Sequence, residues 1–289
     1  MSGWKELAKR TGVMLCYPFD ERRLERWGCP VIVQPKYKGW RGRAVWREQE
    51  GRFVLLSSYG NELTSVPQIA AELRERFIVG GEPVAPGYQE FDGEVYVHGL
   101  SEEEIESLAG RKKPDAESME LEFHVFDLPQ HEGQQAARFL DLLATEMHMP
   151  HLKSVPGTVE QDLDRIMEIM REWVAQGYEG IVLRHPEGLY KRTRSTQMMK
   201  FKPARWDVYR VVGAIEERKL DGTPKQALGA LQVVDADGRM FKVGTGFTRQ
   251  QRQDLWSRRE LLLGRLVKVS YQNTSDGGMP KPGVFVEVM

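Results

Sequence analysis

The chain has 289 residues, 40% hydrophobic and 29% charged, the balance of a globular protein with apolar material for two cores. It holds no run of 18 apolar residues, and Ser2-Gly3-Trp4-Lys5-Glu6 is too polar for a secretory leader, so a cytoplasmic protein with no membrane partner is expected. A net charge of -1 argues against wholesale nucleic-acid affinity, yet residues 204–289 carry 14 Lys and Arg against 10 Asp and Glu, a balance of +4 that leaves residues 1–203 at -5.

The first thirty residues predict two short helices, around Trp4 to Lys9 and over residues 20–27. Cys16 and Cys29 lie apart from each other and from any histidine cluster, which argues against a zinc site or a disulfide framework. Strands are expected over residues 31–33, 42–47 and 52–57, where apolar and polar residues alternate between glycines. Between the first two, Pro35-Lys36-Tyr37-Lys38-Gly39-Trp40-Arg41 leaves a buried strand and turns at Gly39, an arrangement that holds Lys36 up to a pocket. A lysine attacks only as the neutral amine, so burial or positive neighbours must depress its pKa, and Lys38, Arg41 and Arg43 are the cations at hand. The same seven residues also suit a basic surface turn.

Further on, residues 67–77 read as a helix with Ile69, Leu73 and Phe77 on one face. Residues 90–97 read as a strand that places Asp92 and Glu94 on one side. Residues 101–109 form an acidic helix with Ser101 and Glu104 as a capping box, and residues 121–128 a buried strand. The clearest helix is expected over residues 158–175, with Thr158 and Gln161 as its capping box and an apolar stripe through Leu163, Ile166, Met167, Met170, Trp173 and Val174. Strands return at residues 180–183 and 198–203. Residues 191–205 contain six cations and no acid, a strip that suits either a solvated face or phosphate neutralisation. From Val208 short strands recur about every ten residues, with turns at Asp221-Gly222, Asp237-Gly238 and Asp276-Gly277-Gly278 and one helical insert over residues 249–262. That spacing predicts a small all-β barrel, with the boundary near Pro203 to Asp207 and domains of residues 1–203 and 204–289.

Polar residues at the strand ends form a set: Lys36, Arg41, Glu94, Glu179, Lys200 and Lys202. Two carboxylates able to hold a hard divalent metal, with cations to stabilise phosphate charge, are what phosphoryl-type transfer requires. No histidine triad or GxxxxGKS loop is present, which argues against serine hydrolases and P-loop enzymes. Taken singly, each of these residues suits a surface salt bridge.

In order, Lys36-Tyr37-Lys38-Gly39-Trp40-Arg41, Phe91-Asp92-Gly93-Glu94, Phe123-His124-Val125-Phe126-Asp127, Glu179-Gly180-Ile181-Val182-Leu183-Arg184 and Lys200-Phe201-Lys202 resemble the successive motifs of the ATP-dependent DNA ligases of the covalent nucleotidyltransferase superfamily. The compact length resembles the small bacteriophage or viral type. The resemblance implies an α+β adenylation domain of antiparallel sheets flanked by helices, followed by an OB-fold domain. It implies ATP and Mg2+ as cofactors, nicked duplex DNA as partner and a monomer.

Residue by residue, it implies that Lys36 attacks the α-phosphate of ATP to give lysyl-AMP. AMP then passes to the 5′-phosphate of a nick, and the 3′-hydroxyl displaces it. Glu94 is implied at the ribose, Phe126 stacked on adenine, Gln34 against the adenine edge, and Lys200 and Lys202 at the α-phosphate. Glu94 and Glu179 are the implied metal ligands, Arg41 sits near the nucleotide or nick phosphate, and Lys38, Arg41, Arg184 and Lys281 are implied at DNA. Gly244-Thr245-Gly246-Phe247 and Pro280-Lys281-Pro282-Gly283-Val284-Phe285 resemble the late motifs.

Three positions depart from the pattern. Lys38 replaces the usual aspartate of KxDG, Ser58 stands where an arginine follows a serine, and the last motif lacks its arginines, with Lys281 the nearest cation. Lys38 is expected to take over a phosphate contact of the missing arginine. The alternatives are an RNA ligase or capping-type nucleotidyltransferase, which share the lysine chemistry, and a non-catalytic nucleic-acid-binding descendant.

Overall fold

The computed structural model describes residues 12–289 apart from 146, 148, 272, 275–278 and 282, and for residues 273, 274 and 281 the backbone alone. The helix expected around Trp4 to Lys9 and the Asp276-Gly277-Gly278 turn lie outside the described residues. The chain divides into two compact units, Met1–Phe201 and Lys202–Met289, two residues short of the boundary expected at Pro203.

The first unit is built on two five-stranded sheets. One runs in the order Leu15–Pro18, Arg194–Phe201, Gly180–Arg184, Val31–Lys36, Thr158–Glu160; the other runs Arg52–Ser57, Trp40–Arg47, Glu90–Tyr96, Glu122–Asp127, Leu152–Ser154. Pairing is antiparallel except at two edges, where Leu15–Pro18 and Leu152–Ser154 join in parallel. Val31, Ile32 and Val33 are buried on both faces of their strand, which is why an unbroken apolar run stands there instead of an alternation. Their sheet packs on Ile166, Ile169 and Met170 of the helix Leu163–Ala175. The second sheet packs Phe53, Phe91 and Phe123 against Ile69, Leu73 and Phe77 of the helix Pro67–Phe77 and Ile105 of the helix Glu102–Ala109, which has the expected Ser101–Glu104 capping box.

One helix begins later than expected. Thr158–Glu160 is a strand paired with Val31–Val33, so the β-branched Thr158 and Val159 extend the sheet, and the helix is capped instead by the Asp162 side chain, which accepts from the Arg165 amide. Thr158 and Gln161 form no capping box. A further helix, Gln135–Ala144, is absent from the sequence expectations.

In the second unit the strands Met240–Val243, Pro224–Val234, Arg205–Arg218, Leu266–Tyr271 and Val284–Val288 form one antiparallel sheet. A single bridge from Thr245, just past Met240–Val243, to Val284 brings the two edges of that sheet together, as in a small barrel. The two late motifs meet here: Phe247 stacks on Phe285 at 4.3 Å, and Gly246 lies so close to Phe285 that a Cβ would stand 2.3 Å from its carbonyl oxygen. The expected single helical insert is two helices, Arg249–Ser257 and Arg259–Leu262, broken at Arg258. Among the described residues no helix is long and apolar enough to cross a membrane.

Candidate active site

The turn at Gly39 sets the site. A Cβ there would stand 2.3 Å from the Val95 carbonyl oxygen and 3.0 Å from Glu94 Cγ, so only glycine lets the chain reverse against the neighbouring strand. The strand then returns with Arg41 opposite Glu94, which brings Glu94 to the side of Lys36. On the other flank Gly180 pairs with Lys36, and the Glu179 amide donates to the Lys36 carbonyl at 2.9 Å. The Glu179 carboxylate thereby comes within 2.6 Å of Lys36 Nζ.

Burial is the largest single influence on Lys36 and would lower its pKa, but the Glu179 and Glu94 carboxylates together outweigh it, and the ammonium is held above its ordinary value. The expected cationic depression of this pKa is therefore overturned. Arg41 is held by both oxygens of Asp92, at 2.8 and 2.5 Å, and Arg43 pairs with Glu90 at 2.8 Å, so both charges are already balanced. Burial pushes the Glu94 carboxyl up, against the opposing pull of Lys36 and Arg41, to about 7.

The buried acids also fasten the segment before the last strand of the first sheet. Tyr190 donates to Asp92 at 2.5 Å, and Arg192 pairs with Glu90 at 2.6 Å. Arg192, one of the cations of the 191–205 strip, is thus committed inside the unit.

Gln34, Lys36, Arg41, Glu94, Phe126 and Cys16 line one narrow cleft of about 70 Å³. Both Arg41 and Arg184 lie over the Phe126 ring, their guanidinium carbons 4.7 and 5.2 Å from its centroid. Arg184, implied at DNA, is only 3% exposed and is bound to Asp127 at 2.8 Å, so the structure moves it from a DNA face to the cleft wall. Asp127 also holds Arg138 at 2.6 Å, a fully buried cation contributed by the unforeseen helix Gln135–Ala144. Arg138 has no motif signal; the apolar spacing of Phe139 and Leu142 is the only clue to its helix.

Gln34 is 2% exposed. Its Nε2 donates to the Val155 carbonyl at 3.4 Å, while its Oε1 has no partner among the described residues. A buried amide oxygen without a donor is costly, and it suits a ligand that brings an N–H. Lys200 stands opposite Val182 on the adjacent strand, and Lys202 begins the second unit. Lys38 is exposed and makes no ion pair among the described residues. The Lys281 side chain lies outside the described residues. Ser58 is 2% exposed and so offers no surface substitute for the arginine it replaces.

Among the described residues no cluster of three or more His, Cys, Asp or Glu is poised for a metal. Glu94 and Glu179 nevertheless act on the same ammonium. Two hard oxygen donors beside one ammonium fit Mg2+, which takes one or two carboxylates and fills its shell with water and phosphate oxygens.

A lysine flanked by two carboxylates in a two-sheet unit, followed by an antiparallel barrel-like unit, is the architecture of a two-unit nucleotidyl-transfer enzyme. Residues 13–202 match the model of the ATP dependent DNA ligase domain and residues 221–288 that of the DNA ligase OB-like domain. The chain belongs to the ATP-dependent DNA ligase family. It is similar to the DNA ligase of Haemophilus influenzae, 26% identical over 271 residues that cover 93% of this chain and 89% of that one. Among solved structures it resembles Pmar-Lig_PreS3, with a TM-score of 0.73, 22% identity and coverage of 96% of this chain and 67% of that one. It also resembles a Lig E DNA ligase described as binding DNA with a minimal scaffold, with a TM-score of 0.63, 22% identity and coverage of 96% and 99%.

Proposed function

We propose that this enzyme seals nicks in duplex DNA with ATP as its nucleotide. The observation that carries the reading is Lys36 held 2.6 Å from Glu179 and beside Glu94, in a cleft where the buried Gln34 Oε1 lacks a donor. Gln34 would accept from the adenine 6-amino group, its amide kept in that orientation by the Val155 carbonyl, and Phe126 would take the purine on its face in place of a guanidinium.

Lys36 must shed a proton before it attacks the α-phosphorus. Glu94, with its carboxyl near 7, is matched to take that proton at neutral pH and release it to solvent, which leaves it a carboxylate again. The nitrogen–phosphorus bond forms as the bond to pyrophosphate breaks, leaving lysyl-AMP. Lys200 and Lys202 are assigned to the charge on the α-phosphate, Glu94 also to the ribose, Arg41 to the nucleotide whose cleft it lines, and Lys38 and Lys281 to the nick phosphates. When bound, Mg2+ held by Glu94 and Glu179 would neutralise charge on the phosphate oxygens.

AMP then passes to the 5′-phosphate, and the 3′-hydroxyl attacks that phosphate to expel AMP and close the strand. A monomer in the cytoplasm belongs to this reading, and sedimentation measures the first of these. Incubation with labelled ATP or GTP, followed by nicked DNA or nicked RNA, tests it. Labelling by GTP, or joining of RNA alone, would favour the capping-type or RNA-ligase alternatives.

A further inference from the structure

Gln34 is steered by a segment that belongs to no motif. Thr158–Glu160 pairs with Val31–Val33, Thr158 opposite Val33, so the residues just before that strand, Val155-Pro156-Gly157, run on beside Gln34. Val155 lines the cleft, and its amide donates to the Val125 carbonyl at 2.8 Å, which anchors the segment to the second sheet. Gly157 comes so close that a Cβ there would stand 3.1 Å from Gln34 Cγ and 2.9 Å from Phe139 Cζ. Its φ lies outside the left-handed region, so glycine is required for space and not for backbone conformation. Phe139 is 5% exposed and stands on the helix Gln135–Ala144 next to Arg138, which Asp127 holds at 2.6 Å. That ring has little room to retreat, so a side chain at position 157 would displace Gln34 first.

The consequence is chemical. The two ends of a glutamine amide differ, since the nitrogen only donates and the oxygen only accepts. The Val155 carbonyl accepts, so it takes Gln34 Nε2, at 3.4 Å, and leaves Oε1, which has no partner among the described residues, for an occupant of the cleft. Adenine presents an amino group at its 6-position and guanine a keto oxygen. An amide held this way pairs with the first and sets two acceptors against the second, and an amide turned round would reverse the choice.

We propose that Gly157 and Phe139 are positioning residues for nucleotide choice. By confining the Gln34 side chain they keep its amino end on Val155 and its oxygen toward the base, and so set the preference for ATP over GTP. The proposal rests on the reading of Gln34 at the adenine edge, and it places specificity in two residues that do not themselves line the cleft.

The test is single-turnover labelling of the full chain with α-labelled ATP and with α-labelled GTP, each over a range of concentrations. Gly157→Ala should lower the preference for ATP over GTP roughly tenfold, the worth of one hydrogen bond to a buried group, chiefly by raising the half-saturating ATP concentration and less through the maximal rate. Phe139→Leu, which loosens the confinement, should lower the preference by a smaller factor. The double variant, whose new methyl fills space the ring gives up, should be more selective than Gly157→Ala. Damaged folding alone would depress labelling from both nucleotides alike and leave the preference where it was. An unchanged preference in Gly157→Ala and Phe139→Leu, or a double variant no more selective than Gly157→Ala, would overturn the proposal. Equal labelling of the wild type from ATP and GTP would overturn it too and leave the lysine chemistry standing, whereas a wild type that labels from neither would overturn the ligase reading as well.

Discussion

The Glu179 carboxylate lies 2.6 Å from Lys36 Nζ because the Glu179 amide is itself bonded to the Lys36 carbonyl at 2.9 Å, so lysine and acid are tied through backbone and side chain at once. With Glu94 added, the two carboxylates hold the ammonium above its ordinary pKa despite burial, so the reactive neutral amine gains population only as pH rises. Lysyl-AMP formation should climb with pH through the neutral and alkaline range. Glu179→Gln should move the rising limb to lower pH while reducing the plateau. Single-turnover labelling across pH measures both, and a limb that stays in place would contradict the pairing.

Gly39→Ala should reduce lysyl-AMP formation at least tenfold. The new methyl would collide with the Val95 carbonyl, and backbone shifts forced by such overpacking cost about 1–3 kcal/mol. Retention of wild-type labelling by this variant would show that the turn is not held against Val95.

Gln34→Leu should raise the ATP concentration for half-maximal labelling roughly tenfold, the worth of one hydrogen bond to an otherwise orphaned group, and should narrow the preference for ATP over GTP. Competition between the two nucleotides in the labelling assay provides the measurement.

Lys38→Ala should weaken affinity for nicked duplex while sparing lysyl-AMP formation, since the residue is exposed and does not line the cleft around Lys36. Equal nick affinity in the variant and the wild type would remove Lys38 from the DNA contact set.

Asp127→Ala should destabilise the first unit by about 3–5 kcal/mol, because it strands the buried Arg138 and Arg184 guanidinium groups without a counter-charge. Burial alone would raise the Asp127 pKa, but Arg184 and Arg138 together pull it below 3.8. Its stabilising contribution is therefore complete above the unfolded value near 3.8 and is lost as pH falls through the lower folded value. Denaturant melts at neutral pH and below pH 4 check the size and the sign.

Much of this was legible from the order of residues because local signals agreed with the fold. The apolar 31–33 run became an interior strand, residues 67–77 and 52–57 became the expected helix and strand, and the Ser101–Glu104 box caps its helix. What the chain order concealed was spatial pairing. Arg41 and Arg43 read as cations beside Lys36, but Asp92 and Glu90, from a strand some fifty residues away, cancel them. Arg184 sits in a motif, yet Asp127 draws it inward. Thr158 has the chemistry of a helix cap, and its β-branched neighbour Val159 helps draw it into the sheet beside Val33. Gly157 and Phe139 belong to no motif, and only the fold brings them together beside Gln34.

The most direct measurement is covalent labelling. With Mg2+ and α-labelled ATP, the wild type should carry a label that survives denaturation, Lys36→Ala should carry none, and a chase with nicked duplex should discharge the label as the strand is sealed. A label that persists in Lys36→Ala, or a wild type that takes up none, would contradict Lys36 as the nucleophile.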